Sequence, residues 1–254
     1  MKISKNYILV SRVIAIIALV AFFGWLIFDL TIDDSKGEEN AVKSVAKIIY
    51  YQAAAAMIPI SPAIELSVPF HRQQHSLSCE AAALTMALNY KGVKVTENEL
   101  INQLPVSDPG PRQSGNIWGD PNLGFVGNIN GSMPNTGYGV YEKPIFDLAT
   151  KYRSAKIMSN ATITDLITEL SNNNPIVVWG VIGKGKDISW KTPAGKVIVA
   201  KLDEHARTLI GFTGSSNNPK QMILLDPIYG KIRMSISAFQ KNWDMLADKA
   251  VVIY

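Results

Sequence analysis

The chain of 254 residues has a single cysteine and only three histidines. One thiol excludes an intramolecular disulfide, and so few imidazoles leave little material for a zinc centre. No metal and no cofactor is expected. Lysine and arginine exceed aspartate and glutamate by a net charge of only +4, and they are scattered without a dense basic stripe. That pattern excludes nucleic acid as an expected partner. Internal repeats, low-complexity tracts and a GxxxxGK[ST] phosphate-binding loop are also missing. What is present is a 47% hydrophobic chain, enough to bury a sizeable core in one main domain.

The largest-scale feature is the run from Val13 to Phe28, uncharged and apolar, preceded by Lys2, Lys5 and Arg12 and followed by Asp29, Asp33 and Asp34. With Tyr7 to Val10 it approaches bilayer length if Arg12 snorkels to the headgroups. The bias of basic residues to its N-terminal side predicts a cytoplasmic tail and an external remainder. A cleaved signal peptide and a buried core helix compete with this reading, but Phe22, Phe23, Gly24 and Trp25 make a poor cleavage site. The expected organisation is a tail and transmembrane anchor over 1–32, a linker or stalk over 33–62 and a catalytic domain over 63–254. The expected location is the cell membrane, single-pass, with the domain extracytoplasmic.

Within the domain, "IELSVPF" reads as a first strand. Cys79 to about Tyr90 is apolar nearly all round, which predicts a buried central helix stopped by Gly92. Thr96 with Glu99, and Thr162 with Asp165, are capping boxes that open short helices. Pro105 to Gly139, rich in glycine, proline and asparagine, reads as a long loop of a length that is more often functional than neutral. Helices are expected over Pro144 to about Lys151 and Ser237 to about Leu246. The segments "PIVVWGVI", "KVIVAKL", "HARTLIGF", "QMILLD" and "AVVIY" read as strands. A helical first half before an antiparallel second half argues an α+β fold.

Cys79 stands where a helix should begin, with Ser78 as a candidate N-cap. Unpaired N–H groups and the macrodipole of a first turn favour a thiolate. A small buried residue in an alanine-rich helix would look the same. Acyl transfer by a thiolate also needs an imidazole, a group to orient it and donors for the oxyanion. Gln73, six residues earlier, can bring an amide beside the Cys79 N–H. His205 opens one apolar strand and Asp226 ends the next, so adjacent antiparallel strands can bring the two together. The histidine lies about 125 residues after the cysteine, close to the papain-type range.

The blocks "VPFHRQQHSLSCEAAALTMALNYKG", "WGDPNLGFVGNINGSMPNTGYGV", "HARTLIGF" and "LLDPIYG" resemble the papain-like cysteine peptidases related to bacteriocin-processing, double-glycine leader peptidases, in particular their stand-alone C39-like branch. The resemblance covers about Ser67 to Tyr254. It implies a papain-like fold, with a nucleophile helix packed on an antiparallel sheet. It further implies Cys79 as nucleophile, His205 as general base and acid, Asp226 as the residue orienting the histidine and Gln73 as oxyanion donor. Ser-Cys-Glu stands here where exporter-linked leader peptidases usually carry Asp-Cys-Gly, and the phosphate-binding motif of their transporter ATPase does not occur in this sequence. Cleavage after a double glycine is therefore not carried over.

Competing assignments stay open at this point. Gln74 can replace Gln73 if the helix starts later. His71 and His75 suit a polar turn, and Asp226 before Pro227 suits turn initiation. Asp203 and Glu204 should point away from, or alternate with, His205 along a strand. "GNINGSMPNTG" lacks the carboxylates of a calcium loop. Trp118, Phe125 and Tyr138 either line a substrate groove or pack back onto the domain. The expected function is a membrane-anchored extracytoplasmic cysteine peptidase acting on a peptide or protein substrate. A cell-wall peptide endopeptidase and a catalytically silent peptide-binding module are the alternatives.

Overall fold

The computed structural model describes residues 62–254. The expected tail and membrane anchor, and the expected stalk up to residue 61, lie outside them. Among the described residues no helix is long and apolar enough to cross a membrane.

The organising element is strand β9, Glu204–Ser215, whose first ten residues are all buried. It is flanked on both edges. On one side it pairs with β10, Asn218–Asp226. On the other, β6 (Ile176–Val181) pairs with its first half and β1 (Pro62–Glu65) with its second. Adding β11 (Gly230–Ser235), β12 (Ala250–Ile253) and β5 (Ala155–Ile157) gives a seven-stranded sheet of order β11-β10-β9-β6-β12-β5, with β1 beside β9. All of its pairings are antiparallel. Continuous apolar runs in β6, β9 and β12 are what a strand covered on both faces requires.

One cover is helix α1, Cys79–Tyr90, with every residue from Cys79 to Leu88 buried. Thr208 of β9 donates from Oγ1 to the Ala83 carbonyl at 2.9 Å, joining helix to sheet. Leu84 and Leu88 of α1 share a core with Leu100 of α2 (Glu97–Ile101) and with Ile145 and Leu148 of α3 (Glu142–Thr150). Each such side chain contributes roughly 1.5–3 kcal/mol by leaving water. The capping boxes of α2 and of α4 (Ile163–Ser171) form as the sequence predicts. Gly92 takes φ +84° just past α1, as a helix stop should. Ser78 departs from expectation. Its hydroxyl bonds to the His75 backbone and makes no side-chain cap on α1.

The segment 105–139 is not an open loop. It folds into β2 (Val106–Asp108), β3 (Phe125–Gly127) and β4 (Gly137–Gly139), a small sheet of its own. Beside it stands a hairpin of β7 (Asp187–Lys191) and β8 (Val197–Lys201). Trp190 of that hairpin packs edge-on against Trp118 at 5.5 Å and Tyr138 at 5.1 Å between ring centroids. A last helix, α5 (Ile236–Asp244), is capped by Ser235, whose hydroxyl accepts from the Ala238 N–H. Asn242 of α5 donates to the Val181 carbonyl at the end of β6. The whole is the expected α+β architecture.

Candidate active site

Alternation along β9 sorts its first side chains onto two faces. Glu204, Ala206 and Thr208 face α1, where the Thr208 hydroxyl meets Ala83 and the Glu204 carboxylate lies near Cys79. His205 and Arg207 emerge on the other face and meet Asp226 from β10. His205 Nε2 is 3.0 Å and Arg207 Nε 2.7 Å from Asp226 Oδ2. The second oxygen, Oδ1, accepts the backbone N–H groups of Ile228 and Tyr229 at 2.8 and 3.1 Å. Asp226 is fully buried, which alone would raise its carboxyl. The facing His205 and Arg207 and the turn N–H groups overcome burial and hold it below the usual carboxylate range. Burial lowers the His205 pKa, opposed by the Asp226 charge, so the ring rests neutral. With Nε2–H donating to Asp226, Nδ1 is left as the proton acceptor.

Cys79 opens α1 and is 5% exposed. Its sulfur accepts the Ala206 N–H at 3.4 Å, and its S–H donates to Glu80 Oε2 at 3.3 Å. Ala206 directly follows His205, so Sγ lies within roughly 6 Å of the His205 Cα by bond lengths alone. No hydrogen bond joins the thiol to the imidazole among the described residues, because the strand turns the ring to the opposite face. Burial, then the nearby Glu80 and Glu204, push the thiol well above its usual pKa. The resting group is a thiol.

The two glutamates were not foreseen as part of the site. Glu80 Oε1 accepts the Val140 N–H at 2.7 Å, and burial pushes its carboxyl up to about 7 against that bond. Glu204 is 3% exposed and neither of its oxygens has a hydrogen-bond partner. Burial and the neighbouring Glu80 raise it strongly. Helix spacing offers no signal for this pair, since it arises from which face of β9 meets α1. Alternation does separate Glu204 from His205, as the sequence suggests. Arg207, inside an apparently apolar strand, is explained by its buried partner Asp226.

Gln73 lies in the turn before α1, and its amide Nε2 donates to the carbonyls of His75 and Ser76 at 2.8 and 3.0 Å. Its backbone N–H reaches the Pro227 carbonyl at 3.1 Å, which ties the turn to the Asp226 corner. Gln74 is exposed, and only its backbone N–H is engaged, with Glu97. His71 bonds to Glu97 at 2.6 Å and His75 to Asn98 and Asn130, so both hold the turn in place. The aromatic expectation needs correcting. Trp118 and Tyr138 are wholly buried and serve as packing, their polar atoms bonded to the Gly110 carbonyl and the Tyr141 hydroxyl. Phe125, 4% exposed, touches a surface pocket of about 250 Å³ together with Ile101, Leu104 and Ile129. The Ile129 carbonyl accepts the Leu77 N–H, two residues before the thiol.

A family model, the peptidase C39-like family, matches residues 65–251. The chain belongs to that family. It is 34% identical over 184 residues to YvpB, an uncharacterised protein of Bacillus subtilis (strain 168), covering 69% of this chain and 68% of YvpB. Among solved structures it is similar to a protein from Bacillus anthracis provisionally described as a C39-like peptidase. That similarity has a TM-score of 0.65 and 27% identity, over 76% of this chain and 98% of the other. The peptidase domain of Streptococcus ComA, a bifunctional ABC transporter involved in quorum sensing, matches at TM-score 0.44 and 16% identity, over 72% and 96%. That last likeness is too loose to build on. Membership of the C39-like family points to cysteine peptidase chemistry on this α+β fold.

Proposed function

We propose that the protein is a cysteine peptidase that cleaves peptide bonds through an acyl-enzyme on Cys79. The observation that carries this reading is the buried His205–Asp226 pair, 3.0 Å apart between β9 and β10, with the N–H that follows His205 bonded to the Cys79 sulfur. For attack, the start of β9 must shift so that His205 Nδ1, still held through Asp226, comes within reach of the thiol, which leaves Glu80 and gives its proton to Nδ1 as sulfur adds to the scissile carbonyl. The imidazolium, held by Asp226, returns that proton to the leaving amine. Water then adds to the thioester with His205 again as base, and the carboxylic acid and thiol are released. The first-turn N–H of Cys79 and the Gln73 amide, once freed from His75 and Ser76, would serve the oxyanion. The pocket edged by Phe125 is the candidate substrate subsite.

Lys2, Lys5 and Arg12 before the apolar run support an anchored enzyme with its domain outside the membrane. A cell-wall peptide is the second substrate class. The thiol-to-Glu80 bond favours one rival, a silent peptide-binding module of the same fold. Alkylation of Cys79 at neutral pH in the full chain, with and without His205→Ala, separates them. Markedly slower labelling in the variant supports an activated thiol, and equal, slow labelling supports the silent module. Incubation with peptidoglycan fragments and with protein substrates then assigns the class.

A further inference from the structure

The acyl-transfer chemistry leaves Glu80 and Glu204 without a task, although both are buried against the nucleophile. Cys79 Sγ and one carboxylate oxygen from each glutamate lie within 4.8 Å of one another. Both Glu204 oxygens are unpartnered at 3% exposure. A buried carboxyl group with neither oxygen hydrogen-bonded is unfavourable whether or not it is ionised, so a group of this kind calls for a compensating ligand. A second, independent feature is Gly139. A Cβ there would stand 2.6 Å from Glu80 Oε1 and 2.7 Å from Glu204 Oε2, so only glycine leaves both carboxylates their places.

We propose that Cys79, Glu80 and Glu204 form a binding site for a divalent metal of the zinc class, whose occupation blocks the thiol. The donor set decides the class. One thiolate with two carboxylates suits borderline-soft zinc or cadmium and is poor for magnesium or calcium, which take oxygen alone. Tetrahedral zinc places a sulfur and an oxygen ligand about 3.6 Å apart, and Sγ is 3.3 Å from Glu80 Oε2. The supporting groups are also present. The Val140 N–H fixes Glu80 through Oε1, and the Ala206 N–H points at the sulfur. Three protein ligands leave a fourth position for water. When the metal binds, the S–H proton and the protons carried by the two glutamate carboxyls pass to the buffer, and the sulfur lone pair that would attack a carbonyl is engaged by the metal. Only the inhibitory consequence rests on the peptidase reading.

The test titrates the full chain in detergent, stripped of metal, with cobalt(II) and cadmium(II). The expected result is one equivalent bound with a thiolate-to-metal charge-transfer band, displaced by zinc(II). Cys79→Ser should abolish the band, and Glu204→Gln should weaken affinity about tenfold or more, as even ligand-supporting changes do. In the unaltered chain, zinc should protect Cys79 from iodoacetamide and chelator should restore labelling, a readout that requires no variant to fold. Absence of a charge-transfer band at millimolar metal, or unchanged affinity in a folded Glu204→Gln, overturns the site. Metal binding by a chain that shows no peptidase activity even when metal-free would sink the peptidase reading alone. Hydrolysis by a metal-free chain that never shows the band would sink the metal site alone.

Discussion

At the scale of residues, the sharpest contrast is between two buried carboxylates on opposite faces of one strand. Asp226 is surrounded by donors and ionised, whereas Glu204 has none and holds its proton. Asp226→Ala would leave Arg207 buried without its counter-ion, so we expect a loss of about 3–5 kcal/mol in urea unfolding. A loss below 1 kcal/mol would show that Arg207 finds water instead. Glu80→Gln removes the negative charge 3.3 Å from the thiol. Iodoacetamide should then alkylate Cys79 faster at pH 7, because more of the sulfur is thiolate. A slower reaction would mean that Glu80 assists deprotonation.

At the scale of elements, β4 meets α1 through Gly139. At φ +146° and against two carboxylates, Gly139→Ala is doubly disfavoured. The strained backbone alone should cost about 1–3 kcal/mol, read as a lower urea midpoint. Gly92→Ala, with open space around its Cβ, should cost less. What was legible in the sequence divides along the same line. The two capping boxes, the Gly92 stop and the buried run of α1 are set by neighbours within four residues, and they could be read directly. The hairpin strand "DISWK" is absent from the expected strands although its apolar Ile188 and Trp190 alternate with polar residues at the strand period. Its Trp190 completes the aromatic packing that removes Trp118 and Tyr138 from any groove. The His205–Asp226 pair followed from strand order, but the facing of Glu204 toward Cys79 depends on where α1 docks.

At the scale of the whole molecule, the buried titratable groups oppose one another as pH changes. His205 has a lowered pKa, so the unfolded chain takes up its proton first and stability rises with pH toward about 6.5. Glu204 has a raised pKa, through burial and then the Glu80 charge. Its contribution is complete below 4.5 and is lost as pH rises through the folded value. Measured with chelator present, the stability of the unaltered chain relative to Glu204→Gln should therefore fall as pH rises above about 4.5. A flat difference would mean that Glu204 is ionised or solvated in the folded state.

The sheet order carries a consequence for biosynthesis. β12 is the last strand in chain order, yet it lies between β6 and β5. While the polypeptide is still emerging from the ribosome, those two strands stand apart with unpaired edges, even after α1 and β9 have been made. Until the final strand inserts, the nascent protein presents two sticky edges to its surroundings, and holding them apart is a task for the cell's chaperones.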